Sequence, residues 1–216
     1  MKLWSNSFKN NEPIPPEFAF CTMDPARHAA YSDNKNPDLQ WTDVPGGTRS
    51  FALICHDPDV PSIGTDVNQE GKRVRQDLPR VDFFHWILVD MPRDMNAIGG
   101  GQFSNDVTAR GKPGPDAPGE PGMRQGINDY KQWFKGDPDM EGDYFGYDGP
   151  CPPWNDDLVH RYVFTLYALD IDRVPVDDKF TGQQVRAAIK GHILAEAALT
   201  GTYTLDPALG AQSRTA

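Results

Sequence analysis

Three stretches of the chain carry the periodicity of strands. "SFALICHDPDVPS" (50–62) opens on an apolar run, Phe51 to Cys55, and is expected to break at Asp57-Pro58. "VDFFHWILVDMP" (81–92) repeats the design and ends at Pro92. Apolar residues on both parities mean that both faces of these strands are covered, as in the middle of a layered β structure. The third stretch, 160–170, alternates. Tyr162, Phe164, Leu166 and Ala168 share one face, and Val163, Thr165, Tyr167 and Leu169 share the other.

Helical spacing is clearest in "TGQQVRAAIKGHILAEAALTG" (181–201). Val185, Ala188, Ile189, His192 and Ile193 fall on one stripe, which places His192 in the core. Thr181 and Gln184 have the spacing of a capping box, and Gly201 supplies a stop. A short strand can follow in "TYTL", and residues 1–20 read as a strand and a Pro-rich turn. No internal repeat is visible.

Between the second and third strands lies a long irregular stretch, 99–159, with an insertion at about 103–150. Long loops inside a compact domain are uncommon and usually functional or disordered. Tyr130, Trp133, Phe134, Tyr144, Phe145 and Tyr147 argue against disorder, since disordered segments lack aromatics. This part is expected to pack on itself or on a neighbouring subunit, with 112–122 as a mobile tip.

Composition narrows the class. The 216 residues include 20 Gly and 20 Pro, a punctuation that suits a β-rich fold, and a single domain over 1–216 is expected. The formal net charge of -10 makes nucleic acid an unfavourable partner. No run approaches the ~20 apolar residues of a membrane span, and the N-terminus lacks a secretory apolar stretch. A cytoplasmic protein without integral membrane association is therefore expected. Cys21, Cys55 and Cys151 are an odd count without metal-ligand spacing, so reduced thiols are expected. The carboxylates of "GDPDMEGDYFGYDG" miss the EF-hand calcium pattern.

Candidate chemistry gathers at strand ends. Asp57 ends one buried strand, His85 starts another, and His160 opens the third. If those strands are neighbours, the three converge at one rim. Tyr162 lies on the same face as His160. Gly149, Pro150, Cys151 and Pro152 just precede this group and could bring backbone against a ligand, although proline offers no N–H. Three readings stay open. Two histidines and one carboxylate could form a facial metal triad. His and Asp could work as acid and base. Imidazoles, a phenol and backbone amides could hold a phosphate or carboxylate. His56 reads as peripheral and His28 as solvated, while Trp154 either packs over its loop or lines the pocket.

"DPDVP" (57–61), "FFHWILVDMP" (83–92) and "GPCPPWNDDLVHRYVFTLYALD" (149–170), in this order, resemble the phosphatidylethanolamine-binding protein family, and most of all its bacterial branch of Raf kinase inhibitor-like proteins. The likeness extends to "NPDLQWTDVPGGTRSFAL" (36–53) and "GHILAEAALTGTYTL" (191–205). It implies an antiparallel β-sandwich with a few peripheral helices and a small pocket for phosphate or other anionic groups. It assigns ligand binding to Asp57, His85, His160 and Tyr162, with Gly149 and Pro150 in the pocket wall and Asp59 in support. The loop 103–148 is longer and more aromatic than in shorter members, and the C-terminal segment that partly covers the pocket in eukaryotic members is not recognisable. The expectation is a non-enzymatic binding protein without a cofactor, with a regulatory role toward a protein partner kept open. A homodimer is expected from bacterial members and from the surplus aromatics. The rivals are a metal-assisted hydrolase using His85, His160 and Asp57, and a pure interaction protein acting through the aromatic loop.

Overall fold

In the computed structural model, which describes residues 1–212, strands run in short pieces around four long ones. In chain order they are β1 (Lys2–Trp4), β2 (Cys21–Asp24), β3 (His28–Tyr31), β4 (Leu39–Thr42), β5 (Ser50–Pro61) and β6 (Arg80–Pro92). There follow β7 (Ala97–Ile98), β8 (Gly111–Lys112), β9 (Arg124–Gln125), β10 (Asp143–Tyr144), β11 (His160–Leu169) and β12 (Ile193–Tyr203). The α-helices are short: α1 (Tyr130–Trp133), α2 (Gly182–Ala188) and α3 (Pro207–Gln212).

A five-stranded sheet, β12-β11-β5-β6-β9, is antiparallel throughout. A three-stranded antiparallel sheet, β1-β4-β7, packs across its inner face. The two form a sandwich-like arrangement that does not close into a barrel. The parity of β5 explains its uninterrupted apolar run. Phe51, Leu53 and Cys55 enter the core between the sheets with Leu39, Trp41, Phe164 and Leu166. Ala52 and Ile54 enter a second core on the outer face, under Val185 of α2 and Ile189 just past its end. β5 over Phe51–Cys55, like β6 over Phe84–Val89, is therefore buried on both sides.

Two elements differ from the sequence-based expectation. The segment 181–201 is not one helix. Gln184 Oε1 accepts the Thr181 N–H at 2.9 Å, as the capping pattern implies, but α2 ends at Ala188. Gly191 then turns the chain with φ +90, and the remainder pairs along β11 as β12. Ladder pairing with β11 outweighs the helix propensity of an Ala-rich run. His192 accordingly leaves the core: it sits in the turn, against Asp170 at 2.8 Å. Likewise β5 does not stop at Asp57-Pro58 but continues to Pro61, because an irregularity between Asp57 and Val60 accommodates the proline.

The insertion packs on the molecule itself. Tyr130, Phe134, Tyr144 and Tyr147 are all buried in the inner core, and Phe20 stacks on Tyr130 at 4.4 Å. Of these loop aromatics only Trp133 is well exposed, so their number is no argument for a second subunit. The segment 112–122 is tied down by Ala117 N–H to Met123 carbonyl at 3.0 Å, with Ala117 buried.

Cys21 and Cys151 form a disulfide across 130 residues, with Cα atoms 4.9 Å apart, whereas Cys55 is free and buried. This corrects the expectation of three reduced thiols. The pairing depends on β2 meeting the Pro-rich loop in space, which spacing along the chain does not reveal.

Candidate functional site

The inner face of β5 and β6, next to the start of β11, gathers most of the predicted residues, with Asp57 and His85 inside their strands and His160 at the first position of its own. Asp57, His85, His160 and Tyr162 line one pocket of about 80 Å³, together with Phe83, Tyr130 and Trp133. Val60, Pro61, Gly64 and Val67 form one side, and Cys151, Pro152 and Pro153 the other.

His85 reaches this face through a bulge. Cys55 pairs with Trp86 and His56 with Phe84, so His85 is the extra residue of β6. Phe84 and Ile87 enter the outer core while Trp86 enters the inner one. Strict alternation would send His85 outward. The bulge turns it inward, where its ring lies 5.1 Å from that of Tyr162. Its Nδ1 is 2.7 Å from the Asp148 carbonyl, which only accepts, so Nδ1 carries the proton. Burial holds the imidazole below its usual pKa, and the ring is neutral near pH 7 with its Nε2 lone pair unspent.

His160 is in the opposite state. Its Nδ1 lies 2.6 Å from Asp57 and its Nε2 3.1 Å from Asp156. Burial opposes the charge, but the two carboxylates outweigh it and lift the pKa to about 9. The ring is a cation with both N–H groups donated to acids. Arg80 also holds Asp156, at 2.6 Å, and His160 and Arg80 together keep that carboxyl below its usual range against the cost of burial. Asp57 spends its other oxygen on the Asp59 N–H at 2.7 Å. Asp59 itself pairs with Arg161 at 2.7 Å and does not line the pocket.

The Tyr162 hydroxyl is 1% exposed as a residue and has no hydrogen-bond partner among the described residues. Burial, and then the charge of Asp57, push its phenol well above the usual value, so it remains a protonated donor.

Gly149 and Pro150 do not line the pocket; they stand behind its wall. The Gly149 carbonyl accepts the Tyr130 hydroxyl at 2.7 Å, and its N–H donates to Asn34 at 2.8 Å. The Pro150 carbonyl accepts the Phe20 and Cys21 N–H groups at 2.9 and 3.1 Å. The wall proper is one step further on, at Cys151, Pro152 and Pro153. The metal-triad reading also fails on its donor set. A protonated His160 with both nitrogens bound to carboxylates has no lone pair to give. Among the described residues no other cluster has a metal-holding arrangement.

Three contributors were not singled out from the sequence. Asp156 lies within "NDD" and looks like a turn residue until His160 and Arg80 are seen on it. Tyr130 was identified only as a loop aromatic. Asp148, fully buried, accepts from Asn34 at 2.8 Å, from Asn128 at 2.7 Å and from the Lys112 ammonium at 2.9 Å. A lone aspartate in "FGYDGP" gives no sequence signal for such a hub. Trp154 stacks on His28 at 3.9 Å, away from the pocket, and His28 in turn meets Glu70 at 2.6 Å. His56 is half-buried beside Phe84 on the outer face.

Comparison with known proteins shows the family and the fold. The family described as phosphatidylethanolamine-binding protein matches residues 4–204. The UPF0098 protein YbhB of Escherichia coli is 31% identical over 94% of this chain and 100% of its own length. A UPF0098 protein of Methanothermobacter thermautotrophicus is 35% identical over 83% of this chain and 89% of its own. Among solved structures, E. coli YbcL, described as a new member of the mammalian family, superposes with a TM-score of 0.66 at 26% identity. That match covers 94% of this chain and 97% of YbcL. The fold, the motif order and these relatives lead to one conclusion: the chain belongs to the phosphatidylethanolamine-binding protein family.

Proposed function

We propose that this protein is a non-enzymatic binding protein whose pocket takes a small anionic ligand, a phosphate-bearing group foremost. The observation that carries the reading is the Tyr162 hydroxyl, a buried donor at the pocket that meets no protein acceptor in good hydrogen-bond geometry and has only the Asp57 carboxylate acting on it as an acceptor. Leaving such a group unsatisfied costs about 1–3 kcal/mol, which a bound acceptor recovers. The family name supports a phosphorylated ligand. Against catalysis stands the pocket lining, which offers no serine, threonine or lysine, and whose one cysteine is tied in a disulfide. Of the two imidazoles, His160 already holds its protons on two acids, and the free Nε2 of His85 has no aliphatic hydroxyl or free thiol nucleophile beside it in the lining.

Tyr162→Phe tests the reading. Titration calorimetry with inorganic phosphate should show an affinity loss of roughly tenfold, while the melting temperature stays level or rises, because the deleted hydroxyl has nothing to lose in the free protein. Unchanged phosphate binding in this variant would defeat the proposal.

The homodimer expected from the resemblance is part of the same proposal, and light scattering on the purified chain decides it. Among the described residues no helix is long and apolar enough to cross a membrane. The disulfide favours an oxidising compartment over the cytoplasm, since reducing pools there keep such bridges open.

A further inference from the structure

The pocket proposed above is unusually poor in free donors for a site that holds an anion. No lysine or arginine lines it. His160, its one cation, points both N–H groups at Asp57 and Asp156. The Nδ1–H of His85 is spent on the Asp148 carbonyl. Pro152 and Pro153 in the wall have no N–H to offer. The Tyr130 hydroxyl is spent on the Gly149 carbonyl, so Tyr162 remains as the buried donor side chain, with the indole N–H of the exposed Trp133 the other donor in the lining. What the lining does offer is acceptors: the Asp57 carboxylate and the Nε2 lone pair of a neutral His85.

A bare oxyanion in this space meets a carboxylate and a lone pair with nothing to share. An oxyanion that carries its own O–H turns the same two groups into partners. We propose, resting on the binding reading above, that the pocket selects a tetrahedral oxyanion bearing at least one proton. Asp57 and His85 accept from its O–H groups, and Tyr162 donates to an unprotonated oxygen. The ligand class is hydrogen phosphate or a monoprotonated phosphate monoester, and Asp57 is the residue that sets the selection. Sulfate has the same shape and size but no proton at neutral pH, so it should be rejected. Discrimination of this kind is steep because the wrong ligand leaves buried polar groups facing each other unpaired.

The test is calorimetric titration of the full chain near pH 7, at fixed ionic strength, with inorganic phosphate, glycerol 3-phosphate and sulfate in parallel. Both phosphate probes should bind at least roughly tenfold more tightly than sulfate, the scale of one hydrogen bond to a charged group. The tighter of the two identifies the source, free or esterified. In Asp57→Asn, whose amide can donate, sulfate should gain and the preference should fall to about threefold or less. Equal binding of phosphate and sulfate by the unaltered protein would overturn this selection and leave the anion pocket standing. Binding of none of the probes would overturn the pocket reading itself. The comparison in the unaltered protein stands alone if Asp57→Asn fails to fold.

Discussion

His160 Nδ1 lies 2.6 Å from Asp57 Oδ2, and this one contact ties the first residue of β11 to the inner face of β5. Its neighbour Asp156 closes the other side of the ring at 3.1 Å. The imidazole is a structural cation as much as a pocket wall. Because its folded pKa is raised to about 9, its contribution is fully present below the ordinary histidine value of about 6.5 and is lost as pH rises through 9. His85 and His56, both held low by burial, act in the opposite sense and remove stability as pH falls below about 6.5. Stability should therefore peak near neutrality. Urea melts should show a loss on the order of 2–3 kcal/mol between pH 6.5 and pH 9. His160→Gln should be less stable at pH 6.5 and flat across that window. An alkaline arm that persists unchanged in the variant would contradict the assignment.

Gly149 is held where no side chain fits. A Cβ there would come within 2.2 Å of the Phe18 carbonyl oxygen and 2.9 Å of the Tyr147 hydroxyl. Both contacts are to buried, rigid groups, so the loop must move. Gly149→Ala should destabilise by about 1–3 kcal/mol, the usual cost of overpacking, and should weaken phosphate binding by displacing the wall that follows it. A melting temperature within a degree or so of the parent would show that the loop has slack.

The disulfide ties that same loop to β2 from the other side. Cys151 lines the pocket, and its partner Cys21 is buried in the inner core. Opening the bridge releases a covalent loop of 130 residues in the unfolded chain. Thermal melts with and without reductant should differ, the reduced protein being less stable by about 2–4 kcal/mol. The double variant Cys21→Ser with Cys151→Ser should match the reduced protein and no longer respond to reductant. A melt unaffected by reduction would mean that the Phe20 and Cys21 bonds to the Pro150 carbonyl hold the wall on their own.

Asp148 is the hub behind His85. Its removal in Asp148→Ala leaves the Lys112 ammonium without its buried partner and frees the Asn34 and Asn128 amides. A buried charge stripped of its partner costs about 3–5 kcal/mol. The expected outcome is a large drop in melting temperature, partly restored by the second change Lys112→Met, which removes the stranded charge. Absence of any such restoration would mean that the amide network, and not the ion pair, carries the effect.

Much of the site was legible because Asp57, His160 and Tyr162 lie on strands whose alternation is readable, although β5 runs on past Asp57 and β6 begins well before His85. Asp57 follows Cys55 onto the inner face, and Tyr162 follows His160, as period-two counting requires. His85 is different. Counting back from Trp86 along β6 sends it outward, and only the bulge opposite Cys55 and His56 turns it in. His85 was singled out by its place near the expected start of a strand, and again by the family resemblance, but not by periodicity. Gly149 and Pro150 were placed one step from their role, since an irregular Pro-rich loop has no register to count. The segment 181–201 misled for a related reason: apolar spacing compatible with a helix was taken over, past Gly191, by pairing with β11.

By itself the sequence determined the β-rich class, the three central strands and the chemical identity of the polar residues they carry. Those properties follow from local geometry, in which side-chain direction repeats every two residues and proline and glycine interrupt. Tertiary structure alone decided the Cys21–Cys151 pairing, the inward turn of His85, the charged state of His160 and the burial of Asp148. Each of these depends on groups far apart in the chain meeting where water is excluded, and there a neighbouring carboxylate or carbonyl sets which atom holds the proton.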